Sequence, residues 1–332
     1  MRPLNVLLMS VGRRVELVRA FRRAYDALGL EGAIIGLDAD ALAPALRVVD
    51  RPHLVPRLNA PDFIPALLDI CRSEQAHLVF PLIDPDVPVL AQHRDLIAST
   101  GALAVVVDAA AAATVGDKWR TYRWFERIGV PTPPTWLPSQ VHPARAVYPV
   151  FVKPRRGSAS AQCFKARDAP ELWFFSSYVP RPIVQPWLQG PEVTNDVICD
   201  FAGECLGVVS RQRIQTRSGE VTKAVTVYHP EIVEQCRHIA QALGATGPIT
   251  VQGMWDRGRF LFTEINARFG GGVPLGIAAG ADSPRWLLAR AAGLEIEIPP
   301  IGEYRTQVHL TRFDDSFIFS DAARPEAASR HL

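Results

Sequence analysis

A carboxylate, an amide and a guanidinium recur at two-residue spacing in Glu264, Asn266 and Arg268, near the end of the stretch VQGMWDRGRFLFTEINARFGGG, residues 251–272. Side chains two apart in an extended chain lie on one face, so the three project together if the strand continues through Ala267. A hard divalent cation such as Mg²⁺ takes oxygen ligands and completes its shell with water and phosphate oxygens. An arginine beside it suits the charge that develops on a transferring phosphoryl group. Thr250 to Trp255 and Arg259 to Ile265 read as the strands of a hairpin turned at Asp256-Arg257-Gly258, which sets Gln252 on the paired strand as a further oxygen. Gly270, Gly271 and Gly272 permit close backbone approach to a ligand. Polar residues at a strand end also serve as ordinary solvated loop groups.

Other segments carry related chemistry. Tyr148 to Val152 reads as a strand that delivers Lys153 to a loop of small residues, Gly157, Ser158, Ala159 and Ser160, framed by Arg155 and Arg156. Such a loop presents backbone N–H groups to phosphates at close range, and without a P-loop pattern it would cover them rather than cradle them at a helix start. Lys118 opens a helix through Ile128, which stops at Gly129 and the proline-rich residues 130–134. In residues 183–192, Pro186 sits between apolar pairs and cannot donate a backbone hydrogen bond, which suits a sheet edge or hinge. Arg211, Arg213 and Arg217 alternate loosely, so they either share a face toward a carboxylate or phosphate or guard an exposed edge strand.

Taken in order, these segments resemble the ATP-grasp superfamily. The resemblance implies that the hairpin holds two Mg²⁺ (or Mn²⁺) ions through Gln252, Glu264 and Asn266; Gln252 replaces the more common acid, as in carbamoyl-phosphate-synthetase-like members. The Asp117-Lys118 pair, its helix and the Gly129-Val130-Pro131-Thr132-Pro133 stop resemble the opening of the family's nucleotide domain, which implies Lys118 on the ATP phosphates. Lys153 would contact the α and β phosphates, Gly157, Ser158 and Ser160 the γ. The hinge Gln185 to Glu192 implies adenine recognition through the Trp187 and Leu188 backbone, with Gln185 where an acid is usual and Glu192 on the ribose. Arg268 and Lys153 would be catalytic. The implied reaction is phosphorylation of a small-molecule carboxylate to an acyl phosphate, then attack by an amine, with amino acids preferred as substrates. Alternatives are phosphotransfer to bicarbonate or carbamate, and an ATP-binding module without turnover.

The elements that must position these groups fall into an α/β part and an α+β part. Helix-spaced apolar residues over Val15–Leu28, Phe63–Cys71 and Val87–Ser99 alternate with strands at residues 4–9, Ala33–Leu37, His77–Pro81 and Ala102–Val107, the signature of βαβ units around a parallel sheet. Residues 1–115 are expected to form a Rossmann-like domain, 116–188 a linker helix and lid, 189–310 an antiparallel-sheet subdomain with the metal site, and 311–332 a tail. Ser10-Val11-Gly12-Arg13-Arg14 keeps one glycine of the dinucleotide fingerprint, which excludes that use. In the family such a domain contributes to the second substrate's pocket, so Gly12, Arg13, Asp84 and Asp86, with Arg211 and Arg213, are substrate candidates. Arg13 and Arg14 equally suit the exposed start of a helix.

At 332 residues the chain can hold two or three domains, and its formal net charge of +2 without a basic stripe excludes a nucleic-acid partner. Five cysteines without Cys-x-x-Cys spacing read as free thiols of a reducing compartment. No apolar run reaches membrane length. A cytoplasmic enzyme, by default a homodimer, is the expectation.

Overall fold

The computed structural model describes residues 3–157, 161–217 and 219–320. Its first part alternates strand and helix: β1 (Asn5–Leu8), α1 (Val15–Leu28), β2 (Ile34–Asp38), β3 (Arg51–Leu54), α2 (Phe63–Ser73), β4 (Ala76–Phe80), α3 (Asp86–Gln92), α4 (Arg94–Ala98), β5 (Leu103–Ala104) and α5 (Ala109–Val115). The five strands form a parallel sheet in the order β3-β2-β1-β4-β5. β1 is buried throughout because helices cover both sheet faces. α1 turns Leu17, Val18, Phe21 and Tyr25 inward and ends at Gly29, whose φ of 61° is the left-handed cap that favours glycine. The helix expected over Val87–Ser99 breaks at His93, which leaves helical geometry at φ −114°, ψ 20°.

α6 (Lys118–Arg127) leads into a three-stranded antiparallel unit of β6 (Val150–Pro154), β7 (Phe164–Ala166), α7 (Ala169–Tyr178) and β8 (Pro182–Pro186), ordered β7-β6-β8. Ser158 and Ser160 lie outside the described residues, as does the chain from Asp321. Then come β9 (Glu192–Cys199), β10 (Cys205–Arg217), β11 (Glu220–Val227), α8 (Pro230–Leu243), β12 (Pro248–Asp256), β13 (Arg259–Asn266), α9 (Val273–Ala278), α10 (Ser283–Ala292) and β14 (His309–Thr311). They build a six-stranded sheet ordered β13-β12-β9-β10-β11-β14. β10 is longer than expected and central. It carries Arg211 into the interior, so the edge-guard reading of that arginine is wrong.

The two sheets share one core. Phe21 of α1, Phe80 of β4 and Phe269, just beyond β13, form an aromatic triangle with centroids 5.6–5.9 Å apart. Each such pair contributes about 0.5–1.5 kcal/mol beyond its burial. Trp286 and Leu287 of α10 join the same cluster as Leu8 and Phe21. The turn carrying Arg268 is thereby anchored on the first domain, which brings loops of that domain over the hairpin.

Candidate active site

The hairpin is offset where its chemistry sits. Register pairs Gln252 with Glu264 but Gly253 with Phe262, a bulge that leaves Thr263 unpaired and re-aims the side chains beside it. Gly253 sits where an added Cβ would meet the Phe260 ring at 2.5 Å, so the strand needs glycine there for closeness. Gln252, Glu264, Asn266 and Arg268 line one cleft of about 430 Å³ together with Lys118 and Lys153.

At the hairpin end, one end of the Asn266 amide lies 3.2 Å from Glu264 Oε1 and 3.1 Å from Asp84 Oδ1, and the other 3.0 Å from Gln252 Oε1. Lys118 Nζ stands 3.6 Å from Glu264 Oε1 and donates to Gly157 O at 2.7 Å. Asp117 caps α6 by accepting from Trp119 N and Arg120 N and takes a two-pronged bond from Arg155 at 3.0 and 2.6 Å. Burial works to raise its carboxyl, yet these hydrogen bonds hold it below the usual range. Lys153 is buried, and desolvation lowers its ammonium from 10.5 to about 8 despite the nearby Glu264. It is a cation held out of water with no carboxylate within bonding distance among the described residues.

Between these groups, β8 and the start of β9 supply the remaining wall. Glu192 accepts from Arg213 Nη1 at 2.5 Å and from Gln252 Nε2 at 2.9 Å. The Gln185 side chain turns onto Thr135 Oγ1, 2.8 Å away. Trp187 gives its N–H to Pro149 O at 3.2 Å, whereas the Leu188 N–H meets no acceptor among the described residues. Of the two hinge amides expected to meet a base, only that of Leu188 is unspent.

The far end is built by arginines. Arg268 Nη2 donates to Asp84 Oδ2 at 3.1 Å, and its Nε lies 2.9 Å from Oδ1. Arg14 reaches the cleft from the start of α1, donates to Leu82 O at 3.2 Å, and has no carboxylate within ion-pair distance among the described residues. Burial first, and the neighbouring Arg268 next, lower its guanidinium to about 10. Arg13, the sequence candidate, instead points outward to Glu220 at 3.1 Å and does not line the cleft. Arg211 is only 2% exposed and is bonded through two nitrogens to Asp196 at 2.6 and 2.8 Å. Its charge is settled within the protein, which removes it as a free substrate contact. The glycines over it have a different cause from the one expected: a Cβ on Gly272 would meet Arg211 Nη1 at 2.1 Å, and one on Gly271 would meet Arg14 Nη1 at 2.9 Å. They admit arginines, with Arg312 bonded to Gly271 O from the segment after β14. Neither Arg14 nor Arg312 belongs to a spaced motif, so only the folded chain brings them here.

A family model described as an ATP-grasp domain matches residues 115–272, and one described as a PylC-like N-terminal domain matches residues 6–106. The chain thus carries an ATP-grasp domain behind a PylC-like N-terminal domain. Among its relatives is the D-alanine–D-alanine ligase of Stutzerimonas stutzeri, 29% identical over 62% of this chain and 67% of that one. The biotin carboxylase domain of the Hydrogenobacter thermophilus 2-oxoglutarate carboxylase, solved with MgADP and bicarbonate, shares the fold at TM-score 0.68 and 17% identity, over 89% of this chain and 71% of that one. So does the L-amino acid ligase of Bacillus licheniformis, at TM-score 0.66 and 19% identity, over 88% and 74%.

In an ATP-grasp domain the donor set of the hairpin fits a magnesium ion. One end of the Asn266 amide lies 3.2 and 3.1 Å from the Glu264 and Asp84 carboxylates, so two anionic oxygens approach one point, which its N–H or a hard cation satisfies. Among the described residues no cluster of three or more His, Cys, Asp or Glu side chains is arranged to hold a metal. An ion there would draw the rest of its shell from phosphate and water oxygens, as Mg²⁺ commonly does. No helix among the described residues is long and apolar enough to cross a membrane.

Proposed function

We propose that this chain activates a carboxylate with ATP as an acyl phosphate and joins it to an amine, releasing ADP and phosphate, with an amino acid as at least one substrate. The observation that carries the reading is the polarity of the one cleft: lysines, oxygen donors and an unspent hinge amide at one end, and Arg14 with Arg268 at the other. In this reading the Leu188 N–H and Glu192 receive the nucleoside, and Lys118 and Lys153 hold the phosphates. Gln252, Glu264 and Asn266 would hold Mg²⁺, which neutralises phosphate charge when bound. A carboxylate oxygen attacks the γ phosphorus as ADP departs. The amine nitrogen then attacks the acyl carbon, and phosphate leaves with that oxygen. In this reading Arg268 stabilises the charge passing onto the transferred group, and the enzyme's contribution is positioning and electrostatics. Arg14 receives a substrate carboxylate, and the names of the amino-acid ligases among the relatives and fold neighbours support amino acids as substrates.

The test is phosphate release from Mg²⁺-ATP over a panel of amino acids offered singly and in pairs, with bicarbonate included and Glu264→Gln as control. Release that needs one pair and is lost in the variant supports the reading. Release with bicarbonate alone would replace it with carboxylate phosphotransfer, and no release with any member, at undiminished ATP binding, would leave a nucleotide-binding module.

A further inference from the structure

A second cavity lies behind the phosphate end of the cleft, on the far side of Asp117. It is lined by Asp117, Arg120, Arg155, Arg156, Pro180 and Arg181 and shares no residue with the cleft. Four guanidinium groups and one carboxylate face it, and that carboxylate is already engaged by Arg155. Arg120 comes from α6, Arg156 from the segment after β6 and Arg181 from the turn between α7 and β8, and none has a carboxylate within 4.0 Å among the described residues. Single exposed arginines are ordinary. Three from separate elements converging on one concavity, with no carboxylate paired to any of them among the described residues, raise a focused positive potential. Arg181 also holds a left-handed backbone at φ 46°, a conformation that side-chain-bearing residues seldom adopt. Its carbonyl accepts from Arg155 N at 3.1 Å, so the backbone of this turn is fixed against β6.

We propose that this cavity is a second anion site, for a small phosphate-bearing ligand with at least two negative charges, separate from the nucleotide site and coupled to it. Guanidinium forks match phosphate oxygens in pairs, which favours phosphate over a halide or a monocarboxylate. The coupling runs through the backbone. Arg155 O accepts from Lys118 N at 2.8 Å, and the Lys118 side chain holds Gly157 O and faces Glu264. An anion that draws Arg155 and Arg156 outward therefore acts on Lys118 and Gly157, which face the cleft.

Inorganic phosphate is the probe, titrated calorimetrically into protein whose nucleotide site is saturated with Mg²⁺ and the β,γ-imido analogue of ATP, against chloride at matched ionic strength. The expected result is one phosphate per chain, bound at least tenfold more weakly by Arg120→Gln/Arg156→Gln/Arg181→Gln, with the variant's melting temperature unchanged. A measurable change in analogue affinity on adding phosphate to the wild type, absent in the variant, is expected from the coupling. Equal phosphate binding in the variant, competitive displacement of the analogue that does not saturate with phosphate, or no binding to the wild type overturns the proposal. None of these readouts depends on turnover, so the proposal stands or falls apart from the ligase reading.

Discussion

Arg211 and Arg14 both leave water at the same end of the cleft, yet their charges are met differently. Arg211 lies inside a sheet with Asp196 on the neighbouring strand, a pair closed within the protein. Arg14 comes from another domain and, among the described residues, its side chain bonds a backbone carbonyl alone, at 3.2 Å. The first arrangement is structural, because removing either partner strands a buried charge. The second is open, because no carboxylate lies within ion-pair distance among the described residues. Of these two arginines, only Arg14 keeps a charge that a ligand can meet.

The sharpest way to break the comparison is Arg211→Leu. It leaves Asp196 buried and unpaired, and a loss of about 3–5 kcal/mol is expected in chemical denaturation. Asp196→Leu/Arg211→Leu should recover much of that loss, since the cost is of stranding a charge rather than of losing a pair. Arg14→Gln should leave stability nearly untouched. It should raise the KM for the carboxylate-bearing substrate roughly 10- to 100-fold, the equivalent of a charged hydrogen bond of about 1.5–3 kcal/mol, with the ATP KM unchanged.

The same contrast explains what was legible in the sequence. α1 and α8 show in their apolar spacing and end at Gly29 and Gly244, both left-handed caps. The hairpin shows in its alternation and its Asp-Arg-Gly turn. Groups at the hairpin end belong to short motifs, because a strand fixes its own side-chain spacing. Arg14, Asp84 and Arg312 meet only through the packing of Phe21, Phe80 and Phe269, and no local pattern encodes that meeting. β3, with Arg-Pro-His-Leu, lacks alternation and was invisible. Arg211 misled because its polar surroundings, Arg-Gln-Arg-Ile-Gln, resemble an exposed strand until Asp196 is placed beside it.

Lys153 sharpens the picture at the other end. Burial favours its neutral amine, so below about pH 8 the folded state must keep a desolvated cation. The sign follows: this lysine lowers stability at neutral pH, and the penalty fades as pH rises from about 8 toward 10.5. ATP binding runs the opposite way, because phosphates need the charged form. kcat/KM for ATP should fall above about pH 8, and Lys153→Arg should move that limb beyond the accessible range. Arg13→Ala is the smallest effect: its ion pair with Glu220 is exposed, and a change within about 0.5 kcal/mol is expected, with kinetics unaltered.

The central claim, that the cleft makes an acyl phosphate, is tested most directly by oxygen transfer. With the substrate carboxylate labelled with ¹⁸O and the amine present, mass spectrometry of the released phosphate should find one labelled oxygen per turnover, with ADP as the nucleotide product. Unlabelled phosphate, or label appearing in AMP, would contradict the account.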